Sequence, residues 1–260
     1  KLTPQEAYLL LTGKIGARGI LAGIFGLASK GFIQPEFIVD GNGGSICFRI
    51  TENQNTAHLE ESERDLLKLV RESSDESGKF DLIKNAVHTV VTEEKAIIKE
   101  KYLNFANKVK REHSEKNKLT INQLYYRNLG LVLGTILFVA GCIISVAFSV
   151  LSAYLMLPAG FLVFWYSLGI RRRTPYSVER IKALTDLREL INKTDKKNKN
   201  IPDWLSDTNR LIAFSIAIRV ENKLHLLEEL FEDKDVNTIE KTLEKALIAL
   251  NNSLSVILDS

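Results

Sequence analysis

Acid–base, nucleophilic or metal chemistry in this chain would have to be built on four histidines, two cysteines and scattered carboxylates. His58, His88, His113 and His225 stand far apart, and none has a second His, Cys or carboxylate at metal-ligand spacing. His225 precedes Glu228 and Glu229, an H-x-x-E-E pattern that reads as a surface imidazole with an i,i+3 carboxylate on one helix. Cys47 and Cys142 form no C-x-x-C pair and read as two buried thiols acting as small hydrophobes in a reducing compartment. G-x-S-x-G, a P-loop and a strand-to-helix G-x-G-x-x-G are missing, and the glycines of 41–44 fall in a β-turn. The expectation is a protein that is not an enzyme, with no catalytic, cofactor-binding or metal residues and no small-molecule substrate.

The elements around these residues are unevenly apolar. The average hydrophobic content, 45%, is ordinary for a chain of 260 residues, and the net charge of +3 is too small to argue for nucleic acid. Residues 129–170, however, carry no charged side chain. About twenty helical residues cross a hydrocarbon core, so a run about twice that long predicts two spans. We place them at 127–148 and 153–171, with the break near the serines Ser149 and Ser152 and with Pro158 early in the second helix. Gly130, Gly134, Gly141 and Ser145 make a small-residue face for close helix approach. Tyr125, Tyr126, Trp165 and Tyr166 suit interfacial anchors. With no acid or base inside the run, an ion or proton path through this hairpin alone is not expected.

Basic residues flank the run. Lys108, Lys110, Arg111, Lys116, Lys118 and Arg127 precede it, and Arg171, Arg172, Arg173, Arg180 and Lys182 follow. Arg127, Arg171, Arg172 and Arg173 are the membrane-flanking cations, which predict a multi-pass protein of the cell membrane with both flanks cytoplasmic. The same residues suit anionic headgroups, so the lipid bilayer is the first expected partner.

Before the run, Thr3-Pro4-Gln5-Glu6 reads as a helix start, with Thr3 as N-cap and Glu6 completing a capping box; the helix ends near Gly13. A second helix over 17–29 has a broad apolar face. Two alternating runs, 32–39 and 45–50, flank an Asp/Gly/Asn turn and predict a β-hairpin. Helix, helix and hairpin make residues 1–55 a winged-helix-like module. Its second helix offers only Arg18 for reading bases, so specific nucleic-acid binding is not expected. Residues 56–124 predict a helical module with helices over 60–71, 80–90 and 93–113 around a loop at 73–78. After the hairpin of 125–173, residues 174–260 predict helices over 177–192, 207–230 and 236–258, a C-terminal bundle with a basic loop at Lys196, Lys197 and Lys199. The fold class is thus mainly α with a small β-hairpin.

The L-T-P-Q-E-A-Y-L-L-L-T-G stretch, followed by L-A-G-I-F-G-L-A-S-K-G-F-I, resembles the cytoplasmic region of the YciQ-like bacterial membrane proteins, a family of unknown function. Pro4, Glu6, Ala7, Leu27, Ala28, Gly31 and Ile33 fit the family's pattern, with Lys30 as its basic residue and Phe32 as its aromatic. The basic stretch from Arg171 to Pro175 and the 202–218 segment are similar to later family motifs. The resemblance implies a longer parent protein, with an extracytoplasmic β-rich domain and a further span before this region; it assigns no catalytic residue. The helical end here departs from the Gly/Ser-rich tails of such proteins. The expected role is a non-enzymatic scaffold for protein interaction, self-association or envelope signalling. A subunit of an oligomeric transporter or channel and a membrane-tethered DNA-binding regulator are the alternatives.

Overall fold

The computed structural model describes residues 2–38, 45–51, 55–82, 84, 95–116, 121–148, 156–169, 175–193, 202–231 and 235–259. It is mainly helical, with one three-stranded antiparallel sheet. Two compact units divide the chain: Lys1–His113 with Ala183–Ser260, and Ser114–Lys182. Residues 1–55, most of the following helical module and most of the C-terminal segment therefore contribute to one unit.

The first unit opens with α1 (Pro4–Thr12) and α2 (Ala17–Ser29). Thr3 caps α1 as expected, its hydroxyl accepting the Glu6 N–H at 3.4 Å. Gly13 ends the helix in the left-handed conformation at φ 75°. The end of α2 explains the K-G-F-I motif. The N–H of Phe32 donates to the Leu27 carbonyl and that of Gly31 to Ala28, a closure that needs the positive φ of Gly31. The chain then enters β1 (Ile33–Ile38), which pairs with β2 (Ser45–Ile50) in the register Ile33 opposite Ile50. The turn predicted between them lies outside the described residues.

After α3 (Glu61–Glu72), the chain departs from expectation. The helix predicted over 80–90 begins instead as a strand, β3 (Lys79–Asp81), paired with β2. Phe80 decides it: the ring packs into the core 6.3 Å from Phe48, which meets Phe25 edge-on at 5.5 Å. A strand places this aromatic over the sheet's inner face. α4 (Lys95–Lys116) follows, burying Tyr102, Phe105, Ala106 and Val109 in one stripe.

In the C-terminal part, α7 (Pro175–Lys193) contributes Leu184, Leu187 and Ile191 to this core, while Val178, read as part of the same stripe, is exposed. The single helix predicted over 207–230 is two elements. α8 (Thr208–Ile218) is capped by Asp207, whose carboxylate accepts the Asn209 and Arg210 N–H groups, and ends at Arg219 with φ 63°. A 3-10 segment, Glu221–Phe231, replaces the rest. The break lets both faces of α8 be covered, since Leu211, Ile212, Ala213 and Phe214 through Ile218 are all buried. α9 (Val236–Asp259) closes the unit, burying Ile239, Leu243, Ala246, Leu247, Leu254 and Ile257.

The second unit contains a helical hairpin, α5 (Ile121–Phe148) and α6 (Met156–Gly169). α5 starts six residues earlier than the sequence reading placed it. Residues 149–155, where the break was expected, lie outside the described set.

Candidate functional site

The polar residues that the fold gathers meet at one corner of the first unit. Glu6, one turn into α1, is only 2% exposed. Its Oε1 lies 3.3 Å from His113 Nδ1 on α4, so the residue read as part of a capping box joins two elements. The adjacent Glu112 reaches α3: Oε1 accepts the Ser62 N–H at 2.7 Å and Oε2 accepts the Ser62 hydroxyl at 2.5 Å. Glu63 is buried as well, accepts Lys30 Nζ at 2.5 Å and turns back to the Glu60 N–H at 3.0 Å. Glu60, Glu63 and Glu112 thus surround the first turn of α3, where unpaired N–H groups and the helix dipole favour negative charge. Gln5 is fully buried beside them, and its amide oxygen approaches Gly23 of α2.

The motif residues of α1 and α2 belong to this corner for physical reasons. A Cβ at Gly26 would stand 3.2 Å from the Pro4 ring, so Pro4 sets how closely α1 lies on α2. Ala7, Leu27 and Ile33 are core, Lys30 neutralises Glu63, and Gly31 makes the turn. Each of these motif residues thus has a place in the packing of this corner. His113 and Glu6 stand over a hundred positions apart, so no local spacing could have joined them.

Along α3 and α4 an ion ladder lines a groove of about 520 Å³. Lys101 bonds Glu72 at 2.6 Å, Lys108 bonds Asp65 at 2.5 Å and Glu61 at 3.4 Å, and Arg111 bonds Glu61. Hydrogen bonds from Arg111 and Lys108 hold Glu61 below the ordinary carboxylate range, and Lys101 does the same to Glu72. Asp65 in turn raises Lys108. Lys68, Leu69, Asn104, Phe105 and Asn107 also line it.

The other residues that could do chemistry have the following surroundings. Arg18, the one base-reading candidate, is paired with Glu221, and α2 around it is buried. Arg219 lies 5.9 Å over the Tyr8 ring. Tyr102 donates to the Ile15 carbonyl at 2.6 Å, and burial raises its phenol. His225 has its Nδ1 2.9 Å from Glu240 on α9. Cys47 is buried, with its thiol pushed up by burial and then by Asp81. Cys142 is exposed on α5, contrary to the expectation of a buried thiol. Among the described residues no group of three His, Cys, Asp or Glu side chains could hold a metal ion.

In the second unit, α5 and α6 touch backbone to backbone. A Cβ on Gly134 would stand 2.9 Å from the Gly160 carbonyl oxygen, and one on Gly160 would stand 2.8 Å from that of Gly134. Gly130 makes similar room for the Ser167 side chain. The Thr135 hydroxyl donates to Leu131 and that of Ser167 to Val163, so both are satisfied within their own helices. The outer faces are apolar: Val132, Ile136, Val139, Ile143, Phe161, Leu162 and Trp165 are all exposed. Tyr126 and Tyr166, two of the expected anchors, are exposed too. Among the described residues no helix is long and apolar enough to cross a membrane. The flanking cations are not placed: Arg171, Arg172, Arg173 and the side chain of Arg127 lie outside the described residues, as do Lys196, Lys197 and Lys199.

No curated protein and no solved structure matches the chain. A family model does, over residues 1–203, from α1 to the segment before α8. Its description is a predicted membrane protein (DUF2207), C-terminal domain, a family without an assigned function. The match takes in the Pro4–Ile33 corner, the ion ladder and the apolar hairpin, and it covers well over half of the chain, which therefore belongs to this family of predicted membrane proteins.

Proposed function

We propose that residues 129–170 enter the bilayer as a two-span hairpin with both basic flanks cytoplasmic, and that the first unit is a non-enzymatic scaffold for a protein partner or for self-association, of the YciQ-like kind. The observation that carries this reading is the outer surface of α5 and α6. It exposes a row of large apolar side chains, the kind of surface that marks a membrane or protein contact. The sequence from 129 to 170 carries no charged side chain, which suits a hairpin in lipid. Internally satisfied hydroxyls and close glycine contacts suit a hairpin in lipid. The winged-helix-like order of α1, α2, β1 and β2 is read here as a protein-binding module, because α2 is covered and Arg18 already paired.

Tryptophan quenching tests the membrane part. The chain has two tryptophans, and in a Trp204→Phe variant Trp165, 65% exposed on α6, remains as the sole reporter. In vesicles with brominated acyl chains its emission falls strongly, and position-dependent bromination locates it near the interface. Unquenched emission would remove the hairpin from the bilayer. For the scaffold part, mild-detergent pull-down from the native membrane recovers a stoichiometric partner or a homo-oligomer; a monomer without either would contradict it.

A further inference from the structure

The ion pairs between α3 and α4 cross in reverse order, Glu61 with Arg111, Asp65 with Lys108 and Glu72 with Lys101, so the two helices run antiparallel. α3 supplies the carboxylates and α4 the cations, and the groove lies among these rungs. Four lining residues are not used up by them. Lys68 on α3 is 76% exposed, and its Nζ stands 3.7 Å from Glu72, beyond hydrogen-bond reach. Arg111, 57% exposed, gives one Nη to Glu61 and keeps the rest of its donor fork. Asn104 and Asn107 are exposed three positions apart on one face of α4 and make no hydrogen bond among the described residues. Leu69 and the buried Phe105 add apolar surface between the two helices.

We propose that this groove binds an extended acidic segment of a partner protein, with Asn104 and Asn107 bonding its peptide groups and Lys68 and Arg111 taking its carboxylates. The inference rests on the reading of the first unit as a protein-interaction scaffold and names its docking surface. An Asn side chain carries both donors and an acceptor, so it matches the N–H and C=O of a backbone whatever the neighbouring side chains are. From Lys101 to Arg111 α4 advances about 15 Å, the reach of four to five extended residues at about 3.3 Å each. The groove's volume, about 520 Å³, is that of a ligand cleft. The charges select the ligand. The lining holds four cations, Lys68, Lys101, Lys108 and Arg111, against two carboxylates, Asp65 and Glu72, and so favours an acidic partner. Those two carboxylates repel a compact polyanion, whereas a peptide spaces its acidic groups along the chain and sets them beside the cations. Exposed ion pairs contribute little, so a ligand carboxylate can share a rung's cation while the buried side chains of α3 and α4 stay packed.

Binding of fluorescent seven-residue peptides to the full chain in mild detergent tests it. One probe is a mixture in which glutamate alternates with randomised neutral residues; the other has glutamine in place of glutamate. The glutamate mixture binds about tenfold more tightly than the glutamine mixture. Asn104→Ala with Asn107→Ala weakens its binding about tenfold although no charge is removed, and Lys68→Gln weakens it severalfold. All three side chains are exposed, so the variants melt with the wild type. Absence of binding, equal binding of the two mixtures, or wild-type affinity in the double Asn variant would overturn the proposal, the last by reducing it to unspecific attraction of charges. Tripolyphosphate that displaces the peptide as well as unlabelled peptide does, at matched charge, would overturn it in favour of a polyanion. Pull-down from the native membrane separates this proposal from the scaffold reading. A double Asn variant that recovers as much partner as the wild type removes the groove and leaves the scaffold, whereas a wild type that recovers none removes the scaffold itself.

Discussion

At the scale of single residues, the family's motif is legible as geometry. Gly31 has φ +76°, and a methyl group there would meet nothing within 4 Å. The cost of Gly31→Ala is therefore conformational rather than steric, about 1–2 kcal/mol. It should appear as an earlier urea midpoint with unchanged slope, read from Trp204 in a Trp165→Phe background. Gly31→Asn, which tolerates the left-handed region better, should lose less. Lys30→Met tests the other motif position. It leaves Glu63 buried without its cation, and because Lys30 is about one-third exposed the loss should be about 1–3 kcal/mol. Lys30→Met combined with Glu63→Gln should recover part of it. A Lys30→Met midpoint equal to the wild type's would mean that Glu63 is stabilised by its N-terminal position on α3 alone.

At the scale of elements, docking of α4 on α3 has a definite response to solution conditions. Glu61 and Glu72 are lowered in the fold, so their contribution is present above the ordinary carboxylate range and is lost as pH falls through their depressed values. Lys108 is raised, so its contribution is present below the ordinary lysine range and is lost as pH rises through its raised value. Protection of α4 around Lys101 and Lys108 should thus weaken below about pH 4 and also in about 1 M salt, where exposed pairs are screened. Unchanged exchange in high salt would show that the helix is held without help from the ladder. The hairpin makes a sharper claim. Gly134→Leu puts a side chain where the α6 backbone already lies, so α5 and α6 must splay. Spin labels at the exposed Ile136 and Leu162 should show a longer and broader distance distribution, whereas Val139→Leu on the outer face should not.

Much of this level could be read from the chain, and the misses share a cause. Thr3, Pro4 and Gly13 set α1 by local chemistry, and the alternation around 33–50 set the strand pair. Phe80 could not be read as a strand residue, because only its place over Phe48 in the folded sheet makes it one. The apolar run of α8 concealed its end for a similar reason. Arg219 is a good helix former by propensity, yet here it takes a left-handed turn with its guanidinium over Tyr8. The polar corner was invisible because Glu6, Ser62 and His113 come from three distant segments. The hairpin's glycine contacts were partly legible: Gly130 and Gly134 were read on the first helix, but their counterpart Gly160 was not.

At the scale of the whole molecule, two chemistries are kept in separate units. The first unit pairs several of its charges and buries one apolar core, and the second exposes large apolar side chains on α5 and α6. The most direct test of this account is carbonate extraction of the chain from its native membrane, with cysteine labelling in a background lacking Cys47 and Cys142. Single cysteines replace Ser152, in the turn between the proposed spans, and Arg172, in the basic flank. The account predicts that the protein stays in the membrane pellet, that the Ser152 position reacts with an impermeant reagent from outside, and that the Arg172 position reacts only after lysis. Release into the carbonate supernatant would contradict it, leaving the hairpin's apolar face to be covered by protein instead of lipid.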